Sequence, residues 1–350
     1  NAAGMVGLIK ASLALYHRTL PPHAGIDQPI DVFKRAESHA YLPHAARPWL
    51  SSSVCRRAGV SAFGFGGTNA HAVLEEYPVE RSGRPVEYGA GQWTSELYLV
   101  AARDRSATVA TCRNLAELIR LNPDLNPRDL SYTLATDFDK QARRQSEQSV
   151  MLAIVAPSIT DLGKDLESVA LALTDDGPVL LPTNACIVEG ASSSAKVACL
   201  FPGQGSQYPG MAGGPAVYFE EFRGLLEIAD VSSQSVLGEK ISRFVLPPSL
   251  WSDQDQRSAA DALKRTEIAQ PALGVIEFAY FRLLQRLGLR SDMVAGHSYG
   301  EYPALASAGV LAVEDLFDLS LSRGQAMANC KRDDGDSGTM AAVFASADQL

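Results

Sequence analysis

Small and apolar residues recur at helical spacing from Ala2 to Leu20, and Pro21-Pro22 closes the run, because proline lacks a donor and disfavours helix in the residue before it. The period is then lost until the stretch 57–69, a Gly-rich turn through Gly64, Gly66 and Gly67 that leads into a strand over 70–75. Pro78, Gly83, Pro85, Gly89 and Gly91 give residues 78–95 the composition of a connection, so a boundary falls near 80. Beyond it the pattern predicts a strand over 97–101, an amphipathic helix over 106–121 and a helical stretch around 130–136. A strand over 150–156 and a helix over 158–173 complete a small α+β unit. The small-residue joint at Gly190 to Ser194 marks a second boundary near 195. A new apolar strand follows over 196–201 and ends at Pro202-Gly203-Gln204-Gly205-Ser206-Gln207. A last strand is predicted over 339–344.

These breaks divide the 350 residues into three parts, 1–77, 78–195 and 196–350. The length alone predicts two or three domains of about 100–200 residues each. No run approaches the roughly 18 apolar residues that span a bilayer. A net charge of -9 argues against a nucleic-acid partner, which needs a positive field. Cys55, Cys112, Cys186, Cys199 and Cys330 are odd in number, far apart and free of CxxC spacing, so neither a disulfide framework nor a metal site is expected. The default compartment is a reducing cytoplasm. The chain opens on Asn1-Ala2-Ala3 with no secretory leader and reads as truncated at both ends, so exposed apolar faces and aggregation are expected of it in isolation.

The strongest chemical signal is Gly296-His297-Ser298-Tyr299-Gly300, a G-x-S-x-G pattern after a short strand at 293–295 and before a helix over 301–307. A nucleophile elbow requires that context: glycines give the turn room, and N–H groups at the helix start face a developing oxyanion. Ser298 is therefore the candidate nucleophile. Side chains of adjacent residues diverge across so sharp a turn, which makes His297 a supporting residue and not the general base. His17, His23, His39, His44 and His71 all precede the second boundary, so the base is expected from sequence beyond this chain.

Phe201-Pro202-Gly203-Gln204-Gly205-Ser206-Gln207-Tyr208-Pro209-Gly210-Met211, followed by Gly296-His297-Ser298-Tyr299-Gly300-Glu301-Tyr302, resembles the acyltransferases of fatty acid and polyketide synthases. The resemblance implies that Ser298 takes an acyl group from acyl-CoA as an ester and passes it to the phosphopantetheine thiol of an acyl carrier protein. It further implies an oxyanion hole from the N–H groups of Gln204 and Tyr299. Arg323, in Leu321-Ser322-Arg323-Gly324-Gln325, matches the arginine that grips the free carboxylate of a dicarboxylic extender; a guanidinium suits a carboxylate because two parallel N–H bonds form. Tyr299, where methylmalonyl-type domains commonly have glutamine, favours malonyl-CoA.

Residues 1–77 carry a second resemblance. Asn1 to Lys10 is similar to the helix after the second catalytic histidine of ketosynthases, and Ser61-Ala62-Phe63-Gly64-Phe65-Gly66-Gly67-Thr68-Asn69-Ala70-His71 to their closing active-site loop. There Phe65 would act as a gate, while His71 reads as a packed structural residue. No cysteine here lies in that family's nucleophile motif. Residues 78–195 match, by position and length, the linker between the two domains in type I polyketide synthases. The implied class is α/β: the C-terminal piece of a thiolase-like fold, a small α+β linker domain, and the first part of an α/β acyltransferase core with mostly parallel strands. Malonyl-CoA and an acyl carrier protein are the expected partners, homodimerisation would come through the complete ketosynthase, and no cofactor is expected in these residues. The Gly-His-Ser-Tyr-Gly-Glu-Tyr sequence is also similar to iterative bacterial synthases of the enediyne or polyunsaturated type. A type I fatty acid synthase shares every motif; a serine esterase and a non-catalytic docking piece are the competing classes.

Overall fold

The computed structural model describes residues 2–33, 40–51, 55–77, 93–142, 149–174, 180–190, 196–248 and 250–330. The strand expected over 339–344 lies outside the described residues. The chain forms two compact units, Gly91–Ala195 and the remainder, Asn1–Ala90 with Lys196–Leu350.

The larger unit begins with helix α1 (Ala3–His17). The helix stops three residues before the expected Leu20, because Arg18 turns left-handed at φ 50° and its N–H caps the carbonyls of Ala14 and Leu15. Two ion pairs hold the Arg18 side chain in that turn, to Glu76 at 2.6 Å and to Glu220 at 3.2 Å. Strand β1 (Thr19–Leu20) follows and pairs with β2 (Arg47–Pro48). Next, β3 (Arg57–Phe63) and β4 (Asn69–Glu75) form an antiparallel hairpin in the register Arg57↔Glu75 to Phe63↔Asn69. Its turn closes through Gly64 N–H to the Thr68 carbonyl at 2.9 Å, with Gly66 at φ 98° and Gly67 at φ 87°, conformations that only glycine adopts without strain. Phe65 stands fully exposed at the tip of this turn. Within the hairpin, His71 Nδ1 is hydrogen-bonded to Ser61 Oγ at 2.8 Å.

The smaller unit is built from β5 (Glu96–Ala102), α2 (Arg105–Leu121), α3 (Pro127–Ala142), β6 (Val150–Ala156), α4 (Ile159–Ala172) and β7 (Ala185–Glu189). Its sheet runs β5-β6-β7 and is antiparallel throughout. Asp104 accepts from Ala107 N–H to start α2, and Ser158 accepts from Asp161 N–H to start α4, the side-chain acceptors that orphan first-turn N–H groups need. Alternate residues of β6, Val150, Leu152, Ile154 and Ala156, are buried, and the last three pack with Cys112, Leu162, Leu166 and Val169. Burial raises the Cys112 thiol to about 11, which keeps it an inert core residue.

The larger unit resumes with β8 (Ala198–Phe201), α5 (Gly213–Tyr218), α6 (Glu220–Leu237), α7 (Ile241–Val245), α8 (Asp253–Lys264) and α9 (Thr266–Arg286). It continues through β9 (Met293–Gly296), α10 (Glu301–Ser307) and α11 (Val313–Asn329). β8 and β9 pair in parallel, Ala198↔Met293 to Phe201↔Gly296, which sets the two sequence motifs side by side at the strand ends. Helix α9 is the axis of this core: Ile268, Ala272, Val275 and Ala279 pack among Phe222, Leu226, Ile241, Leu316 and Phe317. Arg56, only 6% exposed, ties the hairpin to α6 by bonding Glu76 at 2.7 Å together with Glu227 and the Trp49 carbonyl. Arg47 likewise donates to the carbonyls of Leu246 and Pro247. Among the described residues no helix is long and apolar enough to cross a membrane.

Candidate active site

The serine turn is shaped by glycine. β9 ends at Gly296, His297 remains extended, and Ser298 enters the left-handed region at φ 54° before a single 3-10 turn, Ser298–Gly300, leads into α10. A Cβ on Gly296 would lie 2.1 Å from the backbone of Gly300. One on Gly300 would lie 2.2 Å from the Phe201 carbonyl oxygen. Neither backbone can yield, so both positions require glycine and the turn is fixed against the end of β8. Left-handed geometry costs a residue with a Cβ roughly 1–2 kcal/mol, and the surrounding contacts maintain that strain at Ser298. Ser298 itself is exposed, whereas Tyr299 and Gly300 are buried beneath it.

The loop after β8 meets this turn from the other side. A Cβ on Gly203 would be 2.8 Å from the His297 carbonyl oxygen and 3.4 Å from Ser298 Cβ, so the two motifs, ninety-odd residues apart in sequence, touch through backbone. The loop is internally braced, with Gly205 N–H donating to Gln207 Oε1 at 2.7 Å and Ser206 Oγ donating to the Gly203 carbonyl at 3.0 Å. The Gln204 side chain is anchored away from its backbone: its amide donates to the Lys264 carbonyl at 3.3 Å and its oxygen accepts from Thr266 Oγ1 at 3.0 Å. The His297 ring lies along the Gly203 backbone, its Cδ2 3.4 Å from where a Cβ would stand.

Tyr299 points into the core. Its hydroxyl lies 2.5 Å from Ser320 Oγ and its ring stacks on Tyr302 with centroids 5.8 Å apart and planes 10° from parallel. Burial drives its phenol well above the ordinary tyrosine range, so it stays neutral. Arg323 lies over the same pair of rings, its guanidinium carbon 5.6 Å from the Tyr302 centroid and 6.0 Å from that of Tyr299. Arg323 is half-buried and, among the described residues, makes no hydrogen bond or ion pair. Ser298, Gln204, Tyr299, His297 and Arg323 thus belong to one neighbourhood of the larger unit, while Phe65 sits at the tip of the β3–β4 hairpin.

Several residues of this neighbourhood escaped the sequence reading. Gln270 of α9 is fully buried and donates to Thr266 Oγ1 at 2.8 Å and to Met327 Sδ at 3.2 Å, while its Oε1 has no partner among the described residues. Gly274 is required because a Cβ there would strike the Tyr299 hydroxyl at 2.2 Å. Gly324 lets α11 approach α9, where a Cβ would be 2.8 Å from Glu267 Cα. The available signal was Gln270-Pro271, a polar residue and a proline set inside the apolar run from Ile268 to Ile276.

Residues 199–349 match the acyl transferase domain family and residues 37–144 match the ketoacyl-synthetase C-terminal extension. The type I polyketide synthase Pks15/1 of phenolphthiocerol synthesis from Mycobacterium marinum is 32% identical over the whole of this chain, which corresponds to 15% of that protein. Polyketide synthase GfsA of Streptomyces halstedii is 32% identical over 93% of this chain and 4% of its own length. Among solved structures, the acyl transferase domain of ZmaA superimposes with a TM-score of 0.56 and 26% identity, covering 69% of this chain and 50% of that one. The acyltransferase domain from module 8 of the salinomycin polyketide synthase shares the fold at a TM-score of 0.54 and 22% identity, covering 67% of this chain and 50% of its own. The chain spans less than a sixth of the length of these curated relatives. With a ketoacyl-synthetase C-terminal extension followed by an acyl transferase domain, the chain belongs to the type I polyketide synthases.

Proposed function

We propose that the acyl transferase domain loads a malonyl group from malonyl-CoA onto Ser298 and passes it to the phosphopantetheine thiol of an acyl carrier protein. Ser298 Oγ attacks the thioester carbonyl, its proton goes to a general base, and the CoA sulfur leaves with the electron pair of the broken C–S bond. The carrier thiol then attacks the serine ester and returns the hydroxyl. The observation that carries this reading is the contact of the Gly203–Gln204 loop with the strained Ser298 turn. The Gln204 N–H makes no hydrogen bond among the described residues, and the Tyr299 N–H opens a helical turn, where N–H groups lack an intrahelical partner. Both are suited to a developing oxyanion. His297, packed along Gly203, supports the turn.

Arg323 is the proposed carboxylate-binding group, because its donors are unspent and its charge is partly removed from water. Malonyl is the proposed extender in preference to methylmalonyl because Tyr299 follows the serine where methylmalonyl-type domains commonly have glutamine. Residues 1–77 would belong to the decarboxylative condensing domain, with Phe65 at its active-site loop, 78–195 to the linker, and 196–350 to the acyltransferase. Homodimerisation through the complete ketosynthase and a cytoplasmic location complete the reading. Its test is mass spectrometry of the full-length protein after brief exposure to malonyl-CoA or methylmalonyl-CoA, with the acylated peptide mapped. A malonyl ester on Ser298, missing from Ser298→Ala, is the expected result; an unmodified Ser298 with either donor overturns it.

A further inference from the structure

The guanidinium of Arg323 raises a physical question. A half-buried cation with no carboxylate or carbonyl partner among the described residues still needs something to fix its position. A protein carboxylate would do so only by occupying the N–H donors and cancelling the charge that an incoming carboxylate is to meet. An aromatic face holds a cation through the ring quadrupole and leaves every N–H donor free.

We propose that Tyr302 is a positioning residue for Arg323, its ring serving with the stacked Tyr299 ring as the platform that holds the guanidinium for the donor's carboxylate. The proposal rests on the reading of Arg323 as the carboxylate-binding group. The platform is rigid for reasons that the contacts make plain. Tyr299 is fixed at its far end by Ser320 and closed in by Gly274. Tyr302 lies parallel to it at 5.8 Å and packs against the core around α9. Arg323 reaches the rings from α11, whose approach to α9 is set by the absence of a side chain on Gly324. The Tyr302 hydroxyl enters no hydrogen bond among the described residues, so it is the ring that serves and phenylalanine is an adequate replacement.

The consequence is a specificity effect. Losing the ring frees the guanidinium, which raises KM for a donor with a free carboxylate and leaves a donor without one unaffected. The experiment compares malonyl-CoA with acetyl-CoA as donors for the full-length protein and its Tyr302→Leu, Tyr302→Met, Tyr302→Phe and Arg323→Ala variants. The readout is the ratio of kcat/KM for the two donors, which does not change when part of a preparation is misfolded. In Tyr302→Leu and Tyr302→Met the ratio is expected to fall about tenfold, through KM and not kcat for malonyl-CoA, the middle of the range for a partly desolvated cation over a ring. Tyr302→Phe should restore it. An unchanged ratio in the Leu and Met variants, with the ratio lowered in Arg323→Ala, overturns the platform and leaves the carboxylate site standing. An unchanged ratio in Arg323→Ala removes the carboxylate reading itself.

Discussion

Tyr299 and Ser320 share a buried hydroxyl-to-hydroxyl hydrogen bond of 2.5 Å in which Tyr299 is the donor, because Ser320 Oγ gives its own proton to the Leu316 carbonyl at 2.5 Å. The direction makes the two ends of the bond unequal. Tyr299→Phe removes the donor and leaves Ser320 bonded, at a cost of about 0.5–1.5 kcal/mol. Ser320→Ala strands a fully buried phenol, at about 1–3 kcal/mol. Hydrogen exchange of peptides covering α9 in the full-length protein should therefore quicken more in Ser320→Ala than in Tyr299→Phe. The opposite order would mean that the proton lies the other way round.

Ser298 bears a second cost, that of its left-handed backbone at φ 54°. Glycine adopts this conformation freely, and alanine does not. Ser298→Gly is expected to stabilise the turn by about 1 kcal/mol, net of the larger chain entropy that glycine loses, and Ser298→Ala to leave it nearly unchanged. Both variants lack the hydroxyl on which the proposed serine ester would form. Limited proteolysis near the turn separates them: slower cleavage in the glycine variant alone identifies backbone strain as a cost of presenting the Ser298 side chain at the turn.

The legible and the hidden parts of this molecule differ in range. The elbow helix over 301–307 and the strand over 150–156 appear at their expected bounds, because the signals are short-range: a break in period, a turn glycine, an alternation of apolar residues. The end of α1 was misplaced because ion pairs to Glu76 and Glu220 decide it, and those partners are 58 and 202 residues away. For the same reason the motifs at 201–211 and 296–302 were legible, whereas Ser320, Gly274 and Tyr302 were not. Their roles exist only once α9, α10 and α11 are packed. Gln270 gave a faint local sign as a polar residue in an apolar helix, a pattern that by itself points to no chemistry.

Arg56 is the point at which the β3–β4 hairpin is fixed to α6. Burial pushes the Glu227 carboxyl up, and the Ser51 N–H and the Arg56 and Arg18 charges only partly offset it. Burial also acts on Glu76, but hydrogen bonds and charge from Arg56 and Arg18 outweigh it and hold that carboxyl below the usual range. Arg56→Met would leave Glu76 its bond to Arg18 and leave Glu227 with the Ser51 N–H alone. Breaking a buried pair on one side costs about 3–5 kcal/mol, and Glu227→Gln added to Arg56→Met should recover a large part of it. Hydrogen exchange of the hairpin and of α6 reads both effects. Equal losses in the single and double variants would show that packing of the arginine stem, and not its charge, holds the two together.

Glu277 gives the domain a dependence on pH. It sits on α9 at the wall of a cavity of about 410 Å³ lined by Phe201, Leu273, Ile276, Tyr280, Phe281 and Tyr208, and neither carboxylate oxygen has a partner among the described residues. Burial pushes its carboxyl up to about 8, from an ordinary 4.5. The raised value means that the folded state keeps the proton while the unfolded chain gives it up. Stability from this residue is full below about pH 4.5, declines as pH rises, and levels off above about pH 8, where both states are ionised. Glu277→Gln carries no titrating proton. Its stability relative to the native chain, measured as the difference in urea midpoint for loss of α9 structure, should grow in favour of the variant between pH 5 and pH 8 and then stay constant. A difference that does not change with pH would mean that Glu277 is already ionised in the fold and reaches water or a cation.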